Sequence, residues 1–139
     1  MESPARHLLL HGVVVLLVGL LAGVPYGRAI VGGRSEAVVR GWRVAHAALC
    51  MGATTMIAVA ALLSELAVGS SLKWAVSGAF IASGYGFSLA LPYGAAVGHR
   101  GLSAAGPASN RLVFAGNLVG AAGSLTGTLA LLYAGLVSL

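Results

Sequence analysis

Charged residues are scarce in this chain. They make up 8% of its 139 residues and include only three acidic side chains, whereas ordinary soluble domains are about 25% charged. So few charges cannot cover the surface of a soluble protein, and 58% of the residues are hydrophobic. The composition therefore excludes a water-soluble globular domain and predicts a protein that is solvated by lipid.

Several kinds of site are excluded by what is missing. Cys50 is the single cysteine, so no disulfide framework forms within the chain, and no cysteine–histidine spacing typical of zinc sites occurs. Paired carboxylates, a serine triad and a phosphate-binding loop are also absent. The net charge of +5 comes from basic residues that lie between apolar runs, without interleaved aromatics, so we expect no nucleic-acid partner.

Long apolar runs dominate the rest of the chain. They cover about residues 7–31, 41–67, 72–97 and 111–139, and each is long enough to cross a bilayer core of ~30 Å. The first run also has the basic start and apolar core of a signal peptide, but the later runs favour a transmembrane helix. We therefore predict an all-α integral membrane protein, a single domain of residues 1–139 built as a four-transmembrane-helix bundle.

Glycines recur at helical spacing in the first and last runs. Gly19, Gly23 and Gly27 fall at every fourth residue of the first run. The fourth run carries a similar row, Gly116, Gly120, Gly123 and Gly127. Small residues spaced in this way allow close helix approach, so we expect both rows at helix–helix contacts. The alternative is that they only reflect how common glycine is in membrane helices.

Arginine is distributed unevenly between the two ends of the predicted helices. The first and third connections and their flanks hold Arg28, Arg34, Arg40, Arg43, Arg100 and Arg111. The opposite side holds Arg6 and Lys73, together with Glu2 and Glu65. By the positive-inside rule, the first and third connections are predicted to be cytoplasmic, with both termini outside.

His46 is the strongest candidate for a functional residue. It lies inside the second apolar run, where a histidine is a functional-site hypothesis by default, and neutral imidazole is the commonest protein ligand for metals. Trp42 and Cys50 share its helix face at i−4 and i+4, and small residues surround it. The alternative is a histidine that only bonds a group on a neighbouring helix.

The surroundings of His46 suit a large planar ring such as haem. Such a ring needs an axial histidine, an apolar or aromatic wall and small neighbouring side chains. Arg43, near the membrane interface, is placed to meet a haem propionate. We therefore predict a cofactor site formed by His46, Trp42, Arg43 and Cys50, with His46 as the metal ligand. His11 should lie roughly 20 Å away in depth, because the first two helices run antiparallel, and we expect it to bond a neighbouring helix instead.

Short segments with a shared order and spacing connect this chain to a known family. They are His11-Gly12, Val31-Gly32-Gly33, Gly41-Trp42, Ala45-His46, Arg100-Gly101-Leu102 and Gly106-Pro107. On these residues the chain resembles the styrene oxide isomerases, small bacterial membrane proteins that convert aryl epoxides to aldehydes. These segments lie in or beside the first two predicted helices and in the connection between the third and the fourth.

The resemblance implies a trimer in the bacterial inner membrane that binds haem b, with the family's axial histidine falling on His46. The ferric iron would act as a Lewis acid on the oxygen of an apolar epoxide delivered from the lipid bilayer, and a hydride shift would give the carbonyl. Where the family has an asparagine and an active-site tyrosine, this chain has Gly52 and Leu91. Tyr93 and Asn117 are predicted as replacement polar groups, and we expect a substrate other than styrene oxide.

Two other functions stay open on the sequence. One is a b-type membrane cytochrome that transfers electrons, with His46 and His99 as haem ligands. The other is a haem-free assembly or transport subunit in which the helices serve packing alone.

Overall fold

The computed structural model describes residues 1–139 and consists of helices without strands. The helices are α1 (Ser3–Val31), α2 (Glu36–Leu63), α3 (Ser70–Val97) and α4 (Ala108–Val137). Each of the four is long and apolar enough to cross a membrane, which confirms the predicted fold class. Because α2 has 28 residues and a span needs about 20, the helix ends reach into the headgroup region.

The second helix begins earlier than the sequence predicted. It starts at Glu36 rather than near Gly41, and it ends at Leu63 rather than near Ala67. Hydropathy marks only the lipid-immersed part of a helix, whereas polar residues form the turns outside it. Glu36 lies in the first turn, where a carboxylate complements the helix dipole, and its Oε1 atom is 4.0 Å from Arg40 Nε.

The helices pack as two antiparallel pairs. Gly12 lies against Met56 and Gly19 lies against Leu49, so α1 and α2 run in opposite directions. The pair α3–α4 is also antiparallel, since Gly127 lies against Phe80 and Gly116 against Ala90. The third helix also contacts α1 and α2, whereas α4 packs on α3 alone. The bundle is therefore asymmetric, and α4 stands outside a three-helix core.

Buried residues recur along the helices at the spacing found where two α-helices pack with a left-handed twist. Along α1 they alternate three and four residues apart, at Ala5, Leu8, Gly12, Val15, Gly19 and Ala22. Along α4 they fall every seventh residue, at Val113, Gly120, Gly127 and Ala134. This interval keeps one seam of each helix against its neighbour, with the geometry of coiled coils and of most membrane bundles.

A polar clamp closes the end of the molecule that holds both termini. The buried Lys73 Nζ donates hydrogen bonds to Glu2 Oε1 at 2.7 Å and to the Ser64 carbonyl oxygen at 3.3 Å. The Glu2 backbone N–H in turn donates to Ser64 Oγ at 3.1 Å. The clamp fixes the start of α1 against the turn between α2 and α3.

Candidate functional site

His46 is held by a backbone group of the neighbouring helix. Its Nδ1 atom lies 2.8 Å from the carbonyl oxygen of Gly19 on α1. Because a carbonyl only accepts hydrogen bonds, Nδ1 carries the proton and donates it, and in the neutral ring Nε2 then keeps a lone pair. Nε2 has no hydrogen-bond partner in the chain. Metal-ligating histidines are commonly oriented in this way, with one nitrogen bonded to a carbonyl and the other free for the metal.

Glycines of α1 make the space that His46 occupies. A Cβ atom at Gly23 would lie 3.2 Å from His46 Nδ1, and one at Gly19 would lie 3.0 Å from Cys50 Sγ. Larger residues here would push the two side chains out of place. The prediction that this row lies at a helix contact is confirmed for Gly19 and Gly23. At Gly27 it is wrong, because a Cβ there would meet nothing within 4 Å.

Tyr26 and Arg43 continue the polar side of the site toward the connection between α1 and α2. The Tyr26 ring stacks on the His46 ring, with centroids 6.2 Å apart and planes inclined by 28°. Arg43 Nε donates a hydrogen bond of 3.1 Å to the Tyr26 hydroxyl. Tyr26 was not among the predicted site residues, because only the pairing of Gly23 with His46 sets the register that brings Tyr26 opposite Arg43.

The other residues predicted around His46 make weaker contacts. Cys50 Sγ lies 3.9 Å from His46 Nδ1, at the limit of a sulfur hydrogen bond. Trp42 is half-buried and makes no hydrogen bond. Their predicted roles in cofactor binding stay predictions.

The predicted replacement groups Tyr93 and Asn117 lie on other helices. Asn117 is on α4, which does not contact α2, so one copy of the chain does not bring it to His46. Its side-chain amide donates instead to the carbonyl oxygens of Arg100 at 3.1 Å and Gly101 at 3.4 Å, in the loop before α4. Tyr93 on α3 is 40% exposed, and its hydroxyl makes no hydrogen bond. Their catalytic roles stay predictions.

His11 on α1 serves a different contact. His11 Nδ1 lies 2.8 Å from the Tyr85 hydroxyl on α3, which confirms that His11 bonds a neighbouring helix. Since His46 lies level with Gly23, the two histidines are separated by about 18 Å along α1 at 1.5 Å per residue. No three histidine, cysteine or acidic side chains come together as a metal site. His46 is the only histidine of α2.

A separate cleft opens between α2, α3 and α4. It has a volume of about 430 Å³, and its mainly apolar walls include Gly52 and Leu91, the two positions where the resemblance led us to expect polar residues. A Cβ at Gly52 would meet nothing within 4 Å, so the cleft is open at that point. Val44, Ala48 and Gly52 line it from one face of α2 at intervals of four residues, and His46 projects from the opposite face.

Comparison with known protein families gives one clear result. Residues 4–136 match the family of styrene oxide isomerases, which is nearly the whole chain. No curated protein matches the chain in sequence. The match confirms the resemblance seen in the short segments around His11, His46 and Gly101.

Proposed function

Because the chain belongs to the styrene oxide isomerase family, we propose that it is a membrane isomerase that binds haem b through His46 and converts an apolar epoxide to a carbonyl compound. In its ferric state the bound haem would supply a Lewis acid that polarises the epoxide oxygen. One observation carries the assignment of His46. Its Nδ1–H is bound to the Gly19 carbonyl, so Nε2 is the nitrogen free to ligate iron.

The residues around His46 fit a haem in three ways. The Gly19 carbonyl fixes the tautomer and ring plane of His46 and makes Nε2 a stronger donor. Gly23 leaves room for the imidazole against α1. Arg43 provides a cation on the side of the site nearer the helix end, where the carboxylates of a haem would reach water and headgroups.

The cleft opens on the face of α2 opposite His46, so it does not adjoin a haem bound to His46 of the same copy; as part of the proposed trimer, we assign it to an apolar substrate that arrives from the bilayer and meets the haem of a neighbouring copy. The walls of the cleft are mainly hydrophobic, with the hydroxyls of Thr55, Ser124 and Thr128 as scattered polar groups. Glycine and leucine at positions 52 and 91 make it wider and less polar than an asparagine and a tyrosine would. We therefore propose a bulkier epoxide than styrene oxide. Assembly as a trimer in the bacterial inner membrane belongs to the same proposal.

The rearrangement needs no electrons from outside, because the product is an isomer of the substrate. Activity should therefore require ferric iron and consume no reductant. An electron-transferring cytochrome would instead need a second axial ligand such as His99. In this chain His99 lies beyond the end of α3, in the loop toward α4.

The test pairs His46→Ala with His11→Ala, which removes the membrane histidine at the other end of α1. Both proteins should insert and fold, but only His46→Ala should lose haem absorbance. Wild-type protein should then convert members of a panel of aryl and terpenoid epoxides to carbonyl products without a reductant. Haem that is fully retained in His46→Ala would exclude His46 as the ligand. A six-coordinate haem that is reversibly reduced, with no epoxide converted, would favour the cytochrome.

A further inference from the structure

Arg43 is an arginine within a membrane helix that has no acidic partner. The chain forms ion pairs only between Arg40 and Glu36 and between Lys73 and Glu2. Arg43 uses Nε to donate to the Tyr26 hydroxyl, and its guanidinium carbon lies 6.0 Å from the centre of the Tyr26 ring. Both terminal nitrogens of the guanidinium are therefore left without an acceptor in the chain.

The bond to Tyr26 changes where this guanidinium is held. A long basic side chain near a helix end ordinarily extends toward the headgroups and remains mobile there. Here Nε is fixed to a phenol of the neighbouring helix, and the same phenol ring stacks on His46 at 6.2 Å. Arg43 is thus held along the contact between α1 and α2, on the side of His46 nearer the helix end.

A guanidinium with two free terminal nitrogens is suited to oxyanions such as carboxylates and phosphates. It binds carboxylates through parallel hydrogen bonds, and its planar fork matches the two carboxylate oxygens better than an ammonium group does. A haem ligated at His46 would carry two propionate carboxylates at its edge. The ring stack and the hydrogen bond connect the proposed axial ligand to the free cation through one residue, Tyr26.

We propose that Tyr26 is a positioning residue whose hydroxyl aims the Arg43 guanidinium at a carboxylate of the porphyrin bound at His46. This inference rests on the proposed haem function. It assigns to Tyr26 a role that packing alone would not require, because phenylalanine would fill the same space. A hydroxyl placed in lipid needs a partner, and Arg43 is the partner that it has.

The test uses two porphyrins and two substitutions. Full-length protein purified from haem-deficient cells is titrated with haem b and with haem dimethyl ester, in which the carboxylates are blocked. Arg43→Gln should weaken haem b binding about tenfold, the effect of one hydrogen bond between charged groups. Tyr26→Phe should weaken it roughly fivefold, and the double variant should be no weaker than Arg43→Gln.

Binding of the dimethyl ester separates positioning from general damage to the site. Both variants should bind the ester as wild type does, since it offers no carboxylate. The control is Arg40→Gln, which removes a cation one turn earlier on α2 that pairs with Glu36 at 4.0 Å, whereas the hydrogen bond to Tyr26 comes from Arg43. It should leave both affinities unchanged.

Two outcomes would overturn the role of Tyr26. One is unchanged haem b affinity in Tyr26→Phe, and the other is an equal loss of affinity for haem b and for the ester. Failure of the haem function itself would look different, because wild-type protein would then bind neither porphyrin. Thermal unfolding of every variant in detergent shows whether a change in affinity reflects the site or the fold.

Discussion

Gly123 in the α3–α4 pair and Gly23 in the α1–α2 pair have different kinds of neighbour. In the α3–α4 pair, a Cβ at Gly123 would lie 2.7 Å from the Ala79 carbonyl oxygen and 2.9 Å from the Ser83 nitrogen, so the glycine lets two backbones touch. In the α1–α2 pair, Gly23 faces the imidazole of His46. The first arrangement holds two helices in close contact, and the second makes room for the His46 imidazole. The spacing of small residues therefore indicates most helix contacts, with Gly27 as an exception, but not which neighbouring group each glycine accommodates.

The largest effect is expected where backbone meets backbone. Gly123→Leu places a side chain against the α3 main chain, which cannot move aside, so α4 should separate from α3. We expect loss of most folded protein, since overpacking alone costs ~1–3 kcal/mol and a lost helix contact adds to that. The matched control is Gly135→Leu on the same helix, where a Cβ meets nothing within 4 Å. Thermal unfolding and size-exclusion chromatography in detergent should separate the two variants.

In the α1–α2 pair, substitution of Gly23 should lower the affinity for haem more than it lowers the stability of the fold. Gly23→Ala places a methyl group 3.2 Å from His46 Nδ1, which should rotate the imidazole and strain its bond to Gly19. We expect haem affinity to fall about tenfold, the effect of ~1.4 kcal/mol, with little change in the unfolding temperature.

Gly27→Ala is the control for this substitution, because it adds the same methyl group four residues further along α1, into open space. It should bind haem as wild type does. If Gly23→Ala and Gly27→Ala bind haem with equal affinity, the space that Gly23 leaves for the His46 imidazole does not determine haem binding.

The smallest effect is expected in the cleft, where neither fold nor haem depends on the substituted position. Gly52→Asn should narrow the cleft and add an amide to its wall. We expect kcat/KM for styrene oxide to rise relative to kcat/KM for bulkier epoxides, by roughly threefold to tenfold. Gly52→Ala controls for helix propensity, since it adds little volume and no polar group. An unchanged ratio in Gly52→Asn would mean that the cleft does not select the substrate.

The sequence predicted those parts of the molecule that depend on local properties. Transfer of side chains into lipid decides how many helices cross the membrane, so hydropathy gave the number and approximate position of the spans. His46 could also be predicted as a candidate functional residue, because it is a polar residue within an apolar run. The start of α2 at Glu36 was missed because that turn lies outside the hydrocarbon.

Features that depend on the register between helices were not predictable in this way. The contacts of Tyr26 with His46 and Arg43 follow from the pairing of Gly23 with His46, and that pairing depends on how the two helix surfaces fit. The same holds for the position of α4 on α3 alone, and for a cleft that opens on the face of α2 opposite His46.

The central claim is that Nε2 of His46 ligates the haem iron, and imidazole rescue tests it most directly. His46→Gly removes the ligand and leaves a space between α1 and α2 that a free imidazole can enter. The purified variant should show little haem absorbance without imidazole, and it should regain a histidine-type haem spectrum and epoxide isomerisation when imidazole is added. A variant that binds haem as wild type does without imidazole, or that gains nothing from it, would contradict the claim.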